Sequence, residues 1–360
     1  FGEDVTPNAH ALAREFGTFD NFYVDAEVSS DGHNYSTAAY ATDIVEKFWP
    51  LNYAGRGAGY ISEGGGQMRN AYGNAAAPMN GYVWDAVLRA KLTVRSYGEF
   101  VYPGRDRKNL AQVPGLQGNI SMEYPPYNLS IPDQTRADVF IKELRDYEAN
   151  GQLPSLSIIR LGNDHTSATT VGMPTPRAAV ADNDLALGRI VEAISHSKYW
   201  KESAIFVLED DAQNGPDHID AHRSPALVIS PFSKRTVVDS TMYSTASMLR
   251  TIELILGLEP MSQLDAAARP FYAAFQATPV LTPFMHLENR VPLDEKNTKL
   301  AYGADRAALL NLAEADLAPD AEMNDLIWHA VKGPHVPLPP SVRSAFIRRH
   351  PAGLADDDDD

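Results

Sequence analysis

Ala204-Ile-Phe-Val-Leu-Glu-Asp-Asp-Ala-Gln-Asn-Gly-Pro-Asp-His-Ile-Asp-Ala-His222 opens on five apolar residues and runs straight into Glu209, Asp210 and Asp211. A short apolar run bounded by turn formers reads as a buried strand. Three adjacent carboxylates repel one another, and each is driven toward its neutral form by the other two. Two readings are open: a solvated acidic loop, or a site for a divalent cation that removes the conflict. Hard oxygen ligands near the imidazoles of His218 and His222 suit Mg, Mn, Ca or Zn alike. In open α/β sheets, ligands bind beyond the carboxyl ends of strands, which is where this cluster falls.

Two further clusters follow predicted strands. Leu156 to Leu161 leads into Gly162-Asn163-Asp164-His165-Thr166, and Asn21 to Val24 leads toward Val28-Ser29-Ser30-Asp31-Gly32-His33-Asn34. An adjacent Asp and His can ligate a metal, or the His can protonate a leaving group. A hydroxyl near a helix N-terminus gains from exposed N–H groups and the positive dipole end. The plainer alternative for Ser-Asp-Gly-His-Asn is an N-cap with turn residues. Four of the ten histidines (His33, His165, His218 and His222) fall in these three segments, which favours one shared site over unrelated surface histidines.

Around the clusters, apolar spacing predicts helices over 7–16, 36–49, 83–90, 134–150, 177–195 and 244–256, and strands over 21–24, 92–97, 156–161, 204–208 and 226–230. Strands alternating with helices imply an α/β fold with a mainly parallel sheet covered on both faces. Residues 54–81 are glycine-rich and read as a surface loop; no strand leads in and no GK[ST] follows, which disfavours a phosphate cradle. Residues 102–132 are rich in proline and turn formers, as an insertion would be. Asp182 and Asp184, inside the 177–195 helix, read as surface charges, one of them able to face the site. Beyond 276 the pattern changes to an irregular 279–300 and a helical pair within 304–332. The expected organisation is therefore one domain over 1–276, a C-terminal extension of it over 277–350, and a disordered acidic tail over 351–360.

A formal charge of −16 opposes nucleic acid and anionic membranes as partners. The absence of cysteine excludes disulfides, thiolate zinc sites and cysteine nucleophiles. No apolar run approaches the ~18 residues of a membrane span. The chain opens on Phe1-Gly-Glu-Asp4 with no signal peptide, which reads as the start of a processed or truncated product.

With these residues in place, the chain resembles the phosphoesterase family of bacterial acid phosphatases and phospholipases C, within the alkaline phosphatase superfamily. It is most similar to the alkaline-phosphatase-like domain that often follows a β-propeller. The likeness is carried by Val5-Thr-Pro-Asn8, Asp25 to Ala39, Asn163-Asp-His-Thr166, Ala181 to Gly188, Glu209-Asp-Asp-Ala-Gln-Asn-Gly-Pro-Asp-His218 and Asp220-Ala-His-Arg-Ser-Pro225. The resemblance implies an alkaline-phosphatase-like α/β fold with a C-terminal helical cap, and metal-dependent hydrolysis of a small phosphate ester. It implies Asp210, Asp211 and Asp164 as ligands of a divalent metal, and Ser29 as nucleophile with Ser30 as fallback. His165 and His218 would join in catalysis, and His33, Asn34, Asn163 and His222 would bind substrate. It further implies an N-terminal β-propeller partner and a periplasmic or extracellular location. Alternative activities are a phosphodiesterase or phospholipase C, or a catalytically inactive chain that binds a metal or a partner. The sequence departs from the family pattern in three places. A Glu-Asn pair expected upstream of residue 1, on a strand of its own, is not in this chain. Ala9 stands where relatives often have His, and Gly162 where they often have Pro.

Overall fold

The structure, a computed structural model, describes residues 1–54, 56, 75–104, 108–212, 215–313 and 317–342. The glycine-rich stretch lies mostly outside these residues, as do the acidic tail and Gln213-Asn214 of the acidic loop. The first half runs α1 (Pro7–Phe16), β1 (Thr18–Phe19), β2 (Phe22–Tyr23), α2 (Ser29–Ala38), α3 (Asp43–Tyr53), α4 (Val83–Arg89), β3 (Val94–Tyr97), β4 (Val101–Pro103), β5 (Asn109–Ala111) and α5 (Asp133–Asn150). It continues as β6 (Leu156–Ile159), α6 (Pro176–His196), β7 (Ile205–Leu208), β8 (Ala226–Ile229), β9 (Val238–Asp239), β10 (Tyr243–Ser244), α7 (Thr245–Leu256), α8 (Gln263–Ala267), α9 (Ala304–Ala307) and α10 (Asp320–Lys332).

The strands form the middle of three layers, and their period of two decides which layer each side chain meets. On β8, Leu227 and Ile229 join a core with Leu12 and Phe16 of α1, Phe140 and Leu144 of α5, and Ile190 and Ile194 of α6. The alternate residues Ala226 and Val228 face the opposite side, against Phe22, Met248 and Phe271. On β7, Ile205 and Val207 likewise turn to the first core and Phe206 and Leu208 to the second. A third cluster packs Val83, Trp84 and Val87 of α4 against Val94, Phe100 and Leu249.

Three strand pairs are parallel: β1 with β9, β2 with β10, and β3 with β6. Two are antiparallel: the β4–β5 hairpin, which gives the proline-rich segment order of its own, and β7 with β8. The expected mainly parallel pairing is thus present, with an antiparallel pair at the strand that carries the acidic cluster. Among the described residues β6 pairs only with β3 and β7 only with β8, and both are half-buried where β8 is fully buried.

Two sequence readings change. The predicted 36–49 helix is two helices, because the chain takes a left-handed turn at Ala39 (φ 63°) after α2 has already begun at Ser29. The apolar spacing of Ala39, Ile44, Val45 and Phe48 carried across that break. The Ser-Asp-Gly-His-Asn segment is accordingly helix, with Asp31 accepting the Val28 N–H at 3.1 Å. Asp182 and Asp184 are not surface charges but buried anchors of the 21-residue α6. Asp184 accepts the N–H groups of Asn8 (2.9 Å) and Ala9 (2.7 Å) at the start of α1. Asp182 accepts from the Asn163 amide at 2.6 Å and the Asp133 N–H at 2.6 Å.

The C-terminal segment packs on the same body. Val291 meets Val5, Ala178 and Ala181, while Met323 and Leu326 of α10 meet Ala168. Among the described residues no helix is long and apolar enough to cross a membrane.

Asp133 is the hub beneath the 162–165 loop. Its fully buried carboxylate accepts from the N–H groups of Gly162 (3.1 Å) and Asn163 (2.9 Å), the Asn183 amide (3.1 Å) and the Arg136 guanidinium (2.8 Å). A proline at 162 could not donate that bond. Asp133→Ala leaves Arg136 charged and buried without its partner, and is expected to cost about 3–5 kcal/mol of stability. Denaturant unfolding measures the loss, and hydrogen exchange should accelerate first at Gly162 and Asn163.

Candidate active site

A cleft of about 230 Å³ lies beyond the carboxyl ends of β6 and β7. The first strand contributes Arg160, Leu161 and Gly162 and the second Glu209, Asp210, Asp211 and Ala212, while Asp164 and His165 follow from the loop after β6. Ser29 enters from the first turn of α2, Tyr127 from the segment before α5, and Ile327 from α10.

The close approach of α2 to the end of β7 assembles the reactive part. A Cβ at Gly32 would lie 2.5 Å from the Asp210 carbonyl oxygen, so only glycine lets the helix come this near. One turn earlier, Ser29 Oγ donates to Asp211 Oδ2 at 2.6 Å. Ser30 is buried and takes no part in the cleft wall, so of the two serines the fold turns Ser29 to the cleft.

His33, on the same helix, is buried between two carboxylates: Nδ1 lies 2.9 Å from Glu99 Oε1 and Nε2 lies 3.2 Å from Asp210 Oδ2. Nδ1 donates to Glu99, and the approach of Nε2 to Asp210, a charge contact outside hydrogen-bond geometry, favours a positive charge on the ring. Burial and the nearby Arg160 disfavour that charge, but Glu99 and Asp210 outweigh them and hold the pKa up to about 9. Asp210 answers in kind: burial pushes its carboxyl up, while His33 and Arg160 bring it below the usual range. Glu209 and Asp164 go the other way. Both are raised by burial first; Asp164 then feels the Asp133 carboxylate, and Glu209 feels Asp164. His165 Nδ1 donates to the Thr166 carbonyl at 3.0 Å, and its ring stands edge-on to Tyr127.

The structure brings Ser29, Asp164, His165, Asp210 and Asp211 together and leaves the other expected site residues off the cleft. His218 is exposed and outside the lining, because Asp217 pairs with Arg223 and caps the N–H groups of Ile219 and Asp220, turning the loop away. His222 sits between Asp220 (2.9 Å) and Glu27 (3.2 Å). Asn34 donates to the Ser30 carbonyl inside α2, and Asn163 is buried on Asp182. Glu99, Arg160 and Tyr127 complete the site without having been singled out from sequence, and Glu209, noted there as part of the acidic cluster, joins the lining. The one available signal was Arg160, a charge set within the apolar run Leu156-Ser-Ile-Ile-Arg-Leu161.

Four carboxylates on one cleft, two of them raised by burial and by neighbouring carboxylates, form a donor set that suits a hard divalent cation. Among the described residues, no three His, Asp or Glu side chains already converge on one point.

The model of the Phosphoesterase family matches residues 1–259. The chain belongs to that family. A protein of the alkaline phosphatase superfamily from Vibrio parahaemolyticus shares the fold of this phosphoesterase at a TM-score of 0.50 and 18% identity, over 74% of this chain. The chain spans 63% of the length of that structure. Human ectonucleotide pyrophosphatase/phosphodiesterase 5 aligns at a TM-score of 0.46 and 12% identity, over 71% of this chain and 91% of its own. A phosphonate monoester hydrolase from Silicibacter pomeroyi aligns at 0.36 and 12%, over 71% and 69%. No curated protein sequence matches.

Because the Asp210 carbonyl is backbone and cannot yield alone, Gly32→Ala must push α2 off the strand end. The expected cost is about 1–3 kcal/mol, as for other overpacked contacts. Denaturant unfolding reads it, and equal stability of the alanine variant would refute the tight approach.

Proposed function

We propose that this phosphoesterase hydrolyses small phosphate esters through Ser29, beside a divalent cation held by Asp164, Asp210 and Asp211 with Glu209 adjoining. The observation that carries the reading is the 2.6 Å hydrogen bond from Ser29 Oγ to Asp211, made at the first turn of a ten-residue helix on the wall of an acidic cleft. The positive dipole end of that turn favours an alkoxide and a phosphoryl group in front of it. A divalent cation among these carboxylates supplies Lewis acidity and offsets phosphoryl charge. Calcium, magnesium, manganese and zinc all fit the donor chemistry.

In this mechanism Asp211 orients Ser29 and takes its proton as the Oγ–P bond forms and the ester P–O bond breaks. His165 gives a proton to the departing oxygen. Water then attacks the phosphoserine with the proton transfers reversed, which returns Ser29. Arg160 offers its guanidinium to a nonbridging oxygen. His33 holds Asp210 from behind, and Asn163 holds the loop that carries Asp164. His218 and His222 have no part in bond breaking.

A second reading, metal or partner binding without turnover, is favoured by one feature: the donors do not converge among the described residues. Assays with aryl phosphate mono- and diesters in each of the four metals separate the two readings, and the ratio of rates sets the ester class. Ser29→Ala should lower turnover by roughly 10³-fold or more, as losses of covalent nucleophiles do, whereas Ser30→Ala should retain most of it. Full activity in the Ser29 variant would rule out the covalent route. Asp210→Asn and Asp211→Asn should each weaken metal binding in calorimetric titration; unchanged affinity in both would mean a solvated loop.

A further inference from the structure

We propose that Glu99 is the positioning residue of this cleft, a buried carboxylate that fixes Asp210 through His33 and fixes Arg160 at the same time. The inference rests on the phosphoesterase reading for what those two groups do. Glu99 follows β3 and is 4% exposed. One oxygen meets His33 Nδ1 at 2.9 Å, and the other lies 4.0 Å from Arg160 Nε. Beyond them, His33 Nε2 reaches Asp210 at 3.2 Å, and the Arg160 guanidinium lies 5.0 Å from the centre of the Tyr127 ring on the cleft wall. Among the described residues, Arg160 is the one Lys or Arg that lines the cleft.

The backbone is bent to put this carboxylate there. Gly98 has φ 91° and Phe100 has φ 51°, a left-handed conformation uncommon for a bulky side chain. Such strain persists only where the surroundings over-determine it. Here the Phe100 ring packs at 4.9 Å against both Tyr82 and Trp84, and Ser96 Oγ donates to the Glu99 carbonyl at 2.5 Å. A buried carboxylate would be costly alone, but two cations flank this one. Its oxygen holds the His33 ring through Nδ1, which sets the Nε2 edge of that ring 3.2 Å from Asp210. The Glu99 charge draws the guanidinium to one side, toward the position of a phosphoryl oxygen. A single side chain thereby registers the carboxylate that faces a metal with the cation that faces the substrate.

Glu99→Gln keeps the shape and an acceptor for His33 while deleting the charge, and the whole chain is used throughout. The expected variant melts close to the native temperature. Its Mn²⁺ affinity by calorimetry or its kcat on an aryl phosphate falls about 10–100-fold, as for other groups that orient ligands. Affinity for inorganic phosphate in excess Mn²⁺ falls as well, and adding Arg160→Gln lowers it no further than Arg160→Gln alone, since the two act through one arm. Glu99→Asp, which restores the charge, recovers part of the loss and serves as the test if the glutamine variant does not fold. Native-like Mn²⁺ and phosphate affinities in Glu99→Gln, or phosphate losses that simply add, overturn the proposal. A native chain that binds both but turns over no ester defeats the enzymatic reading alone, and a chain that binds neither defeats both.

Discussion

Everything at the cleft depends on how near one helix can come to the end of one strand. The Asp210 carbonyl fills the space where a Cβ at position 32 would sit, so α2 rests directly on the backbone that follows β7. That contact places Ser29 one turn up against Asp211, and His33 one residue on against Asp210. A side chain at 32 would open both gaps together. The arrangement is economical in sequence, since three residues of one helix and two at one strand end define it. It also puts the positive end of α2 against a negative strand end, so the two elements attract at long range before any side chain meets.

The second constraint is charge balance inside a low-dielectric interior. His33 and Arg160 bring the Asp210 carboxyl below its usual range, while burial and neighbouring carboxylates push Asp164 and Glu209 up. Carboxylates a few residues apart are thus shifted in opposite directions, set by what stands behind each one. A similar logic operates at Asp184, where N–H donors take the place of cations and lock α1 onto α6, and at Asp133, where N–H donors join Arg136 and lock the 162–165 loop onto α5.

Much of this was legible in the chain. Leu156–Leu161 and Ala204–Leu208 are apolar runs that end in acids and glycine, so the strands and the cluster beyond them could be placed without coordinates. The start of α2 could not, because Ser-Asp-Gly-His-Asn has the composition of a turn and only the packing against Asp210 makes it a helix. Asp182 and Asp184 were misjudged because their partners, Asn163 and Asn8, are distant in sequence. His218 was misplaced for the converse reason: nearness along the chain to Asp211 does not survive the turn that Asp217 and Arg223 impose. Glu99 carried no local signal at all, since its meaning comes from two residues 66 and 61 positions away.

Ile327 belongs to a different stretch of chain from every group that carries charge in the cleft. It lines the wall from α10, a helix seated on the 166–170 loop through Ala168, Met323 and Leu326. Reactivity and aperture are therefore written in separate parts of the gene. A change in the C-terminal helix can alter this apolar part of the cleft wall and leave Ser29, the carboxylates and their supports untouched.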